Sequence, residues 1–192
     1  MLWGWWTLDM AEQLQQFYED LRSGRRPKLA PMAPPQHGKS SIATEFIAWV
    51  AGRNPDLKTI FASYSDELGI RTNLAIQRLM NNPRYAAAFA RTQIGLSGWQ
   101  CNKHSIEYAH HASSFHNTTV PGAATGLQLD LGVVDDPVKG RQEVNSRINR
   151  DRIWNWFTDD FLTRFAAYAA LSMIMTRWHV DDPVGSGARE IF

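Results

Sequence analysis

The sequence has one cysteine, Cys101, and therefore cannot form an internal disulfide. A chain of this size without a disulfide framework is typical of a reducing compartment, which favours the cytoplasm. Long apolar runs are also missing, since no stretch approaches the roughly 20 residues that a membrane-spanning helix needs. The opening MLWGWW is apolar. It is short and has no basic residues before it, so it does not have the form of a signal peptide.

The chain also carries little net charge. Its formal value is +1, so contact with nucleic acid would have to come from a local basic patch and not from the overall field. Hydrophobic residues make up 44% and charged residues 20%, which predicts a packed core. One basic stretch, residues 139–152, holds five basic residues against Glu143 and Asp151. It predicts contact with a DNA backbone, although a solvated helix face explains the same charges.

Apolar periodicity predicts helices and strands that alternate along the chain. Apolar residues from Met10 to Leu21 recur on one helix face; Asp9 and Glu12 resemble a capping box, and Gly24 a terminal glycine. The predicted strands are at 29–32, 57–65, 129–137 and 171–176, with weak strands near 106–108 and 114–115. Predicted helices run from Gly38 to Gly52 and over 66–82, the second capped by Asp66 and stopped before Pro83. A helix or helix pair is predicted at 145–168, with an apolar seam of Trp154, Phe157, Phe161 and Phe165. This alternation predicts an α/β fold with a mostly parallel sheet flanked by helices.

The stretch APPQHGKSS lies between a predicted strand and a predicted helix. Backbone N–H groups at such a helix N-terminus can bind phosphates, and the helix dipole favours their charge. Lys39 would reach the β- and γ-phosphates, and the Ser40 hydroxyl would bind Mg²⁺. Ala33 stands where the usual pattern begins with glycine. The predicted nucleotide-binding residues are Ala33, Pro34, Pro35, Gln36, His37, Gly38, Lys39, Ser40 and Ser41. The alternative is an ordinary helix N-terminus with an exposed lysine.

A second motif, LDLGVVDD, is an apolar strand that ends in two carboxylates. ATPases with a phosphate-binding loop present a Mg²⁺-binding carboxylate in this way. Asp135 is predicted to be this ligand, and Asp136 to orient or deprotonate the attacking water. The alternative is that the two acids cap the turn before Pro137.

A third motif, IMTRWH, is a strand that exits into polar residues. In such ATPases, a polar residue on a strand between the loop and the carboxylate senses the γ-phosphate. Thr176 is the first candidate for this catalytic role and Arg177 the second. A surface ion pair explains Arg177 equally well.

Four motifs follow one another in a recognisable order: PPQHGKS, ASYSDEL, TGLQLDLGVVDDPVKGRQE and MTRWHVDDPVG. Together they resemble the ATPase domain of phage terminase large subunits, over about residues 10–187. The resemblance implies an ASCE-type P-loop ATPase that hydrolyses ATP with Mg²⁺ and drives double-stranded DNA into a viral capsid. It implies as partners the DNA, the terminase small subunit, the portal protein and further copies of the chain in a ring. The implied location is the cytoplasm of the bacterial host.

The resemblance also assigns residues. By motif, Lys39 and Ser40 belong to the Walker A loop, Asp135 is the Walker B metal ligand, Asp136 is the catalytic carboxylate and Thr176 belongs to the coupling motif.

Two positions depart from the family pattern. Gln36 and Leu127 stand where an arginine is common. An arginine can contribute about 10³–10⁵ to the rate of phosphoryl transfer, so turnover is expected to be weak unless Arg177 or a neighbouring subunit supplies one.

Residues 1–192 are expected to form a single ATPase domain. The sequence ends at Phe192, soon after the last motif, so we expect the family's nuclease domain to be absent and the sheet to be incomplete at its C-terminal end. Two alternatives remain open. One is a catalytically impaired prophage remnant that only binds nucleotide or DNA, and the other is a different, helicase-like ASCE ATPase.

Overall fold

A computed structural model of the protein describes residues 4–122 and 126–187. Thr125, at the start of the motif TGLQLD, lies outside these ranges. Within them, one sheet has the strand order β1-β6-β5-β2-β4-β3. The strands are β1 (Lys28–Leu29), β2 (Thr59–Ser63), β3 (Ser105–Glu107), β4 (Ser114–Thr119), β5 (Leu129–Asp135) and β6 (Phe165–Ile174). All neighbouring strands pair in parallel except β3 with β4, which confirms the predicted fold class.

Helices cover both faces of this sheet. They are α1 (Trp5–Arg22), α2 (Lys39–Arg53), α3 (Asp66–Met80), α4 (Pro83–Ala88), α5 (Arg141–Asn145), α6 (Arg147–Asn155) and α7 (Pro183–Gly187). A π-helical turn (Trp156–Phe161) and a 3₁₀ turn (Leu162–Arg164) continue α6 down to the start of β6.

Strand β2 shows how the two faces are filled. Phe61 packs with α1, α2 and α3, whereas Ile60 and Ala62 pack with α6 and the π-helical turn. Successive side chains of a strand point to opposite faces, so a strand buried on both sides reads as a continuous apolar run. The core therefore has two halves, one on each side of the sheet.

The helix ends correct several local predictions. Helix α1 begins at Trp5, so Asp9 lies inside it and the predicted capping box is wrong. Gly24 does end this helix, with the left-handed φ of +76° that a terminal glycine supplies. In α3 the cap is Ser65, whose side chain accepts a hydrogen bond from the Leu68 N–H, and Asp66 is the first helical residue. Local polar residues offer several cap positions, and the sequence alone does not choose among them.

The prediction that a helix continues through residue 168 is wrong, because β6 begins at Phe165. Phe165 continues the four-residue spacing of Phe157 and Phe161, which made it look helical. In the structure it pairs with Leu129 of β5, and its ring lies over Gly132. Parallel pairing with β5 thus overrides a helical periodicity that two preceding rings had established.

The first strand is shorter than predicted. Only Lys28–Leu29 pair regularly with β6, and Met32 forms a single bridge with Met175. The carbonyls of Pro27 and Pro31 accept hydrogen bonds from Leu171 and Met175. Because proline has no N–H, these two residues can join the β6 side of the sheet only through their carbonyl oxygens.

We expect Gly132→Ala to destabilise the fold by about 1–3 kcal/mol, the usual cost of overpacking a core. A Cβ at this position would lie 2.8 Å from Phe165 Cζ and 3.1 Å from the Phe161 ring. The free energy of unfolding in urea measures the effect. Adding Phe165→Leu should recover part of the loss because the shorter side chain makes room. A Gly132→Ala variant as stable as the parent would contradict this packing.

Candidate nucleotide-binding site

The predicted phosphate-binding loop connects β1 to α2, as the order of its motif required. Its backbone turns sharply at two residues with left-handed conformations, Gln36 with φ +65° and Gly38 with φ +77°. Gly38 is the N-cap of α2, and Lys39 is the first residue of that helix. Glycine adopts this conformation without steric cost, so its presence at 38 allows the chain to enter the helix directly from the loop.

Lys39 is held inside the loop and is only 4% exposed. Its Nζ donates hydrogen bonds to the carbonyl of Ala33 at 2.6 Å, the carbonyl of Pro34 at 3.0 Å and the Thr176 hydroxyl at 2.8 Å. Three oxygens therefore solvate the ammonium in place of water, as a buried cation requires.

Thr176 connects this lysine to the acidic motif. Strand β6 lies between β1 and β5, so Thr176, two residues after its end, emerges between the loop and the carboxylates. The Thr176 N–H donates to Asp136 Oδ1 at 3.0 Å, and its hydroxyl donates to the carbonyl of Ala33 at 3.3 Å. The structure thus brings together three residues that the sequence predicted separately, Lys39, Thr176 and Asp136.

Asp136, which accepts the hydrogen bond from the Thr176 N–H, has an unusual backbone conformation. Its φ is +43°, and its N–H donates to the carbonyl of Ile174 at 2.9 Å. Non-glycine residues adopt such angles seldom and at some energetic cost. The sharp turn after β5 leaves Asp136 half-buried, with its carboxylate directed at the end of β6.

Asp135, the last residue of β5, is 0% exposed. Burial raises the pKa of its carboxyl to about 6, with a further rise from Asp136; the Ser40 hydroxyl and Lys39 act in the opposite direction. Ser40 is close enough to influence this pKa, yet neither carboxylate oxygen has a hydrogen-bond partner among the residues that the structure describes. Buried carboxylates are normally paired, so this one is suited to an additional ligand.

These groups fit a Mg²⁺ ion. Mg²⁺ prefers oxygen ligands and is commonly held by one or two carboxylates together with substrate phosphates and water. The unpartnered Asp135 and the nearby Ser40 hydroxyl supply such oxygens. Among residues 4–122 and 126–187, no group of three or more His, Cys, Asp or Glu could hold a metal by itself. A site completed by phosphates does not need such a group, and the role of Asp135 and Ser40 stays a prediction.

Arg177, the candidate catalytic arginine, is hydrogen-bonded to residues that follow it in the chain. Arg177 Nε binds Asp182 Oδ2 at 2.8 Å, and its Nη2 donates to the carbonyl of His179 at 3.2 Å. Asp182 is 0% exposed, so this ion pair has one fully buried partner. Of the two departures from the family pattern, Gln36 is exposed on the loop and Leu127 packs against the apolar core.

Two residues at the site were not found from the sequence. The Trp6 indole donates to the carbonyl of His37 at 3.0 Å across 31 positions, a separation that no local pattern reveals. Asp182 caps α7 by accepting from the Gly185 N–H at 3.0 Å, besides binding Arg177. Its position before Pro183 is a common start of a helix and could have identified it.

The fold and the site together define the class. A lysine-bearing loop follows one parallel strand, an acidic strand lies two positions away in the sheet, and a polar residue lies just beyond the end of the strand between them. This is the arrangement of a P-loop NTPase.

The family follows from comparison with known proteins. The family model described as terminase large subunit, T4likevirus-type, N-terminal, matches residues 31–186, and the chain belongs to this family. Comparison with curated proteins gave no match.

Several solved structures are similar to the chain, including two large terminases of bacteriophages. The large terminase of bacteriophage HK97 superposes with a TM-score of 0.61 at 14% sequence identity, covering 98% of this chain and 37% of that one. The large terminase ATPase domain of Thermus phage P74-26 gives a TM-score of 0.46 at 14% identity, covering 79% of this chain and 60% of that one. The chain thus spans little more than a third of the HK97 protein. In the part of the chain that the structure describes, no helix has both the length and the apolar character needed to cross a membrane.

We expect Asp135→Asn to stabilise the ligand-free protein at neutral pH. The pKa of this carboxyl rises on folding from 3.8 to about 6, so folding favours its protonated form. Stability is therefore lost as the pH rises from about 4 through 6. At about 1.4 kcal/mol per pH unit, the loss is on the order of 3 kcal/mol.

Urea unfolding at pH 4, 6 and 8, with a chelator and no nucleotide, measures this difference. Asp151→Asn is the control because the Asp151 side chain is 63% exposed. An Asp135→Asn variant that is less stable than the parent at pH 8 would overturn the assignment of an ionised, unpartnered carboxylate.

Proposed function

We propose that the chain binds Mg-ATP at this site and hydrolyses it as the motor domain of a DNA-packaging terminase. The observation that carries the proposal is the hydrogen-bonded series Lys39–Thr176–Asp136 beside the buried, unpartnered Asp135. In the proposed mechanism, each of these groups would have a distinct task in phosphoryl transfer.

The loop supplies the phosphate site. Pro34 and Pro35 have no N–H, so the donors come from the second half of the loop and the first turn of α2. The 15 residues of α2 add the positive end of a helix dipole at the same place. Lys39 would exchange its contacts with the loop carbonyls for the β- and γ-phosphates, a short movement of one ammonium group.

Ser40 and Asp135 would hold the metal ion. Mg²⁺ neutralises negative charge on the phosphates and helps to orient them. A pKa of about 6 leaves Asp135 mostly ionised at pH 7, and a nearby dication favours the ionised form further.

Asp136 would position the attacking water and accept its proton. General base catalysis of this kind contributes about 10²–10⁴ to a rate. Thr176 is hydrogen-bonded to both Lys39 and Asp136. Loss of the γ-phosphate would therefore change the surroundings of both hydrogen bonds. Thr176 also begins the segment that leads through Arg177 to α7. A conformational change on hydrolysis would be transmitted along this segment to the protein surface.

The wider role rests on the family. Terminase large subunits are DNA-packaging motors, and we propose for the full-length protein double-stranded DNA, the small subunit, the portal protein and a homo-oligomeric ring as partners, in the host cytoplasm. The segment 139–152 follows directly on the acidic motif and is the candidate DNA surface. Some of its charges are internally paired, as in Arg147 with Asp151 and Arg152 with Glu143, both at 3.6 Å. Lys139 and Arg141 are exposed.

A second candidate function is a nucleotide-binding module with slow turnover, and the missing arginine favours it. Arg177 is bound to Asp182, and the positions of Gln36 and Leu127 lack the arginine common in the family. A chain without an arginine at the transferring phosphate would bind Mg-ATP and turn it over slowly. A neighbouring subunit that supplied the arginine would restore the rate.

Steady-state hydrolysis of Mg-ATP, with and without linear duplex DNA, tests the motor proposal. We expect Lys39→Ala to abolish both nucleotide binding and turnover, and Asp136→Asn to lower kcat at least about 100-fold while binding persists. Slow turnover with Lys39-dependent binding would favour the nucleotide-binding module. Absence of Mg-ATP binding in the parent chain would overturn the proposal.

Thr176→Val tests the link between the loop and the acids. The change keeps the side-chain volume but removes the hydroxyl that accepts from Lys39, while the backbone N–H can still bind Asp136. We expect kcat to fall about tenfold and the affinity for Mg-ATP to change less than threefold. Thr176→Ser, which keeps the hydroxyl, is the matched control. Equal effects of Val and Ser would contradict a role for the hydroxyl.

A further inference from the structure

Trp6 makes a contact with the phosphate-binding loop that the proposed mechanism does not use. It lies in the first turn of α1, and its ring is partly buried against the apolar core. Its indole Nε1 donates to the main-chain carbonyl of His37 at 3.0 Å. The neighbouring Trp5 is 82% exposed.

A bond to this carbonyl fixes more than one atom. The peptide unit between His37 and Gly38 is planar and trans, so the His37 carbonyl and the Gly38 N–H point in opposite directions. Gly38 has φ +77° and no Cβ to restrict its rotation. A bond that fixes the direction of the His37 carbonyl therefore fixes the Gly38 N–H in the opposite direction.

A second carbonyl of the loop, that of Pro35, is also held by a side-chain hydrogen bond. His37 Nδ1 lies 2.9 Å from the carbonyl of Pro35 and must donate to it, because a carbonyl oxygen can only accept. By the same planarity, this bond orients the Gln36 N–H. Because Pro34 and Pro35 offer no N–H, the donors that remain in the loop matter more than in a loop without prolines.

Helix α1, which carries Trp6, packs against α2. Rings of α1 and α2 contact each other in two places, Phe17 with Phe46 at 6.1 Å and Tyr18 with Trp49 at 4.8 Å between centroids. These contacts pack α1 against the helix that begins at the loop. The hydrogen bond from Trp6 to His37 adds a further link between α1 and this loop.

We propose that Trp6 is a positioning residue of the phosphate-binding loop: its indole N–H holds the His37 carbonyl outward and so directs the Gly38 N–H at the phosphates of a bound nucleotide. The inference rests on the nucleotide-binding role proposed above. It assigns to α1 a part in nucleotide affinity in addition to its part in the core.

Trp6→Phe removes the indole N–H and keeps an aromatic ring, and Trp5→Phe is the matched control. We expect calorimetry with Mg-ADP to give a dissociation constant about three- to tenfold higher for Trp6→Phe, the effect of losing one hydrogen bond. Trp5→Phe should bind within twofold of the parent. Unfolding in urea checks that both variants are folded. Binding by folded Trp6→Phe within twofold of the parent would overturn the proposal.

A nucleotide-free measurement separates this inference from the proposed function. In the free protein, hydrogen exchange followed by NMR should protect the Trp6 indole N–H at least about tenfold relative to that of Trp5. The Gly38 amide resonance should shift in Trp6→Phe and stay in place in Trp5→Phe. An unprotected Trp6 indole or an unmoved Gly38 amide would overturn the positioning role. If the parent chain binds no Mg-ADP, the proposed function fails, while the Gly38 amide still decides whether Trp6 orients the loop.

Discussion

The buried ammonium of Lys39 is the interaction on which the site depends. A cation that is 4% exposed needs oxygens around it, and the chain provides them from two segments far apart in sequence, the loop at Ala33–Pro34 and Thr176 after β6. Satisfying this one charge ties β1 to β6 where both strands end. Asp136 then joins through the Thr176 N–H, so a single electrostatic requirement organises three parallel strands at one edge of the sheet.

Much of this could be predicted from the sequence, because the motifs are short and their strands are uniformly apolar. LDLGVVDD could be placed as a buried strand that ends in carboxylates, and GKS as the start of a helix, since both patterns reflect local requirements. Thr176 was predicted from P-loop ATPases, in which a polar residue lies on a strand between the loop and the carboxylate, and β6 does lie between β1 and β5.

The remainder depended on contacts between distant residues. Phe165 kept a helical spacing and still entered the sheet, because pairing with Leu129 and contact with Gly132 are invisible in a local window. The left-handed turn at Asp136 and the bond from Trp6 to His37 are likewise results of the assembled fold. Burial of Asp135 could be expected from its strand, whereas its lack of a partner could not.

The pair Pro34–Pro35 divides the loop into two unlike halves. On the β1 side, carbonyl oxygens face Lys39, and proline removes the N–H groups that would compete with them. On the α2 side, N–H groups remain. The carbonyl oxygens of one half of the loop are thus suited to a cation, and the N–H groups of the other half to an anion. When phosphates depart, the Lys39 ammonium has hydrogen-bond acceptors to return to. Release of the product therefore does not leave this buried cation without hydrogen-bond partners, which lowers the cost of emptying the loop.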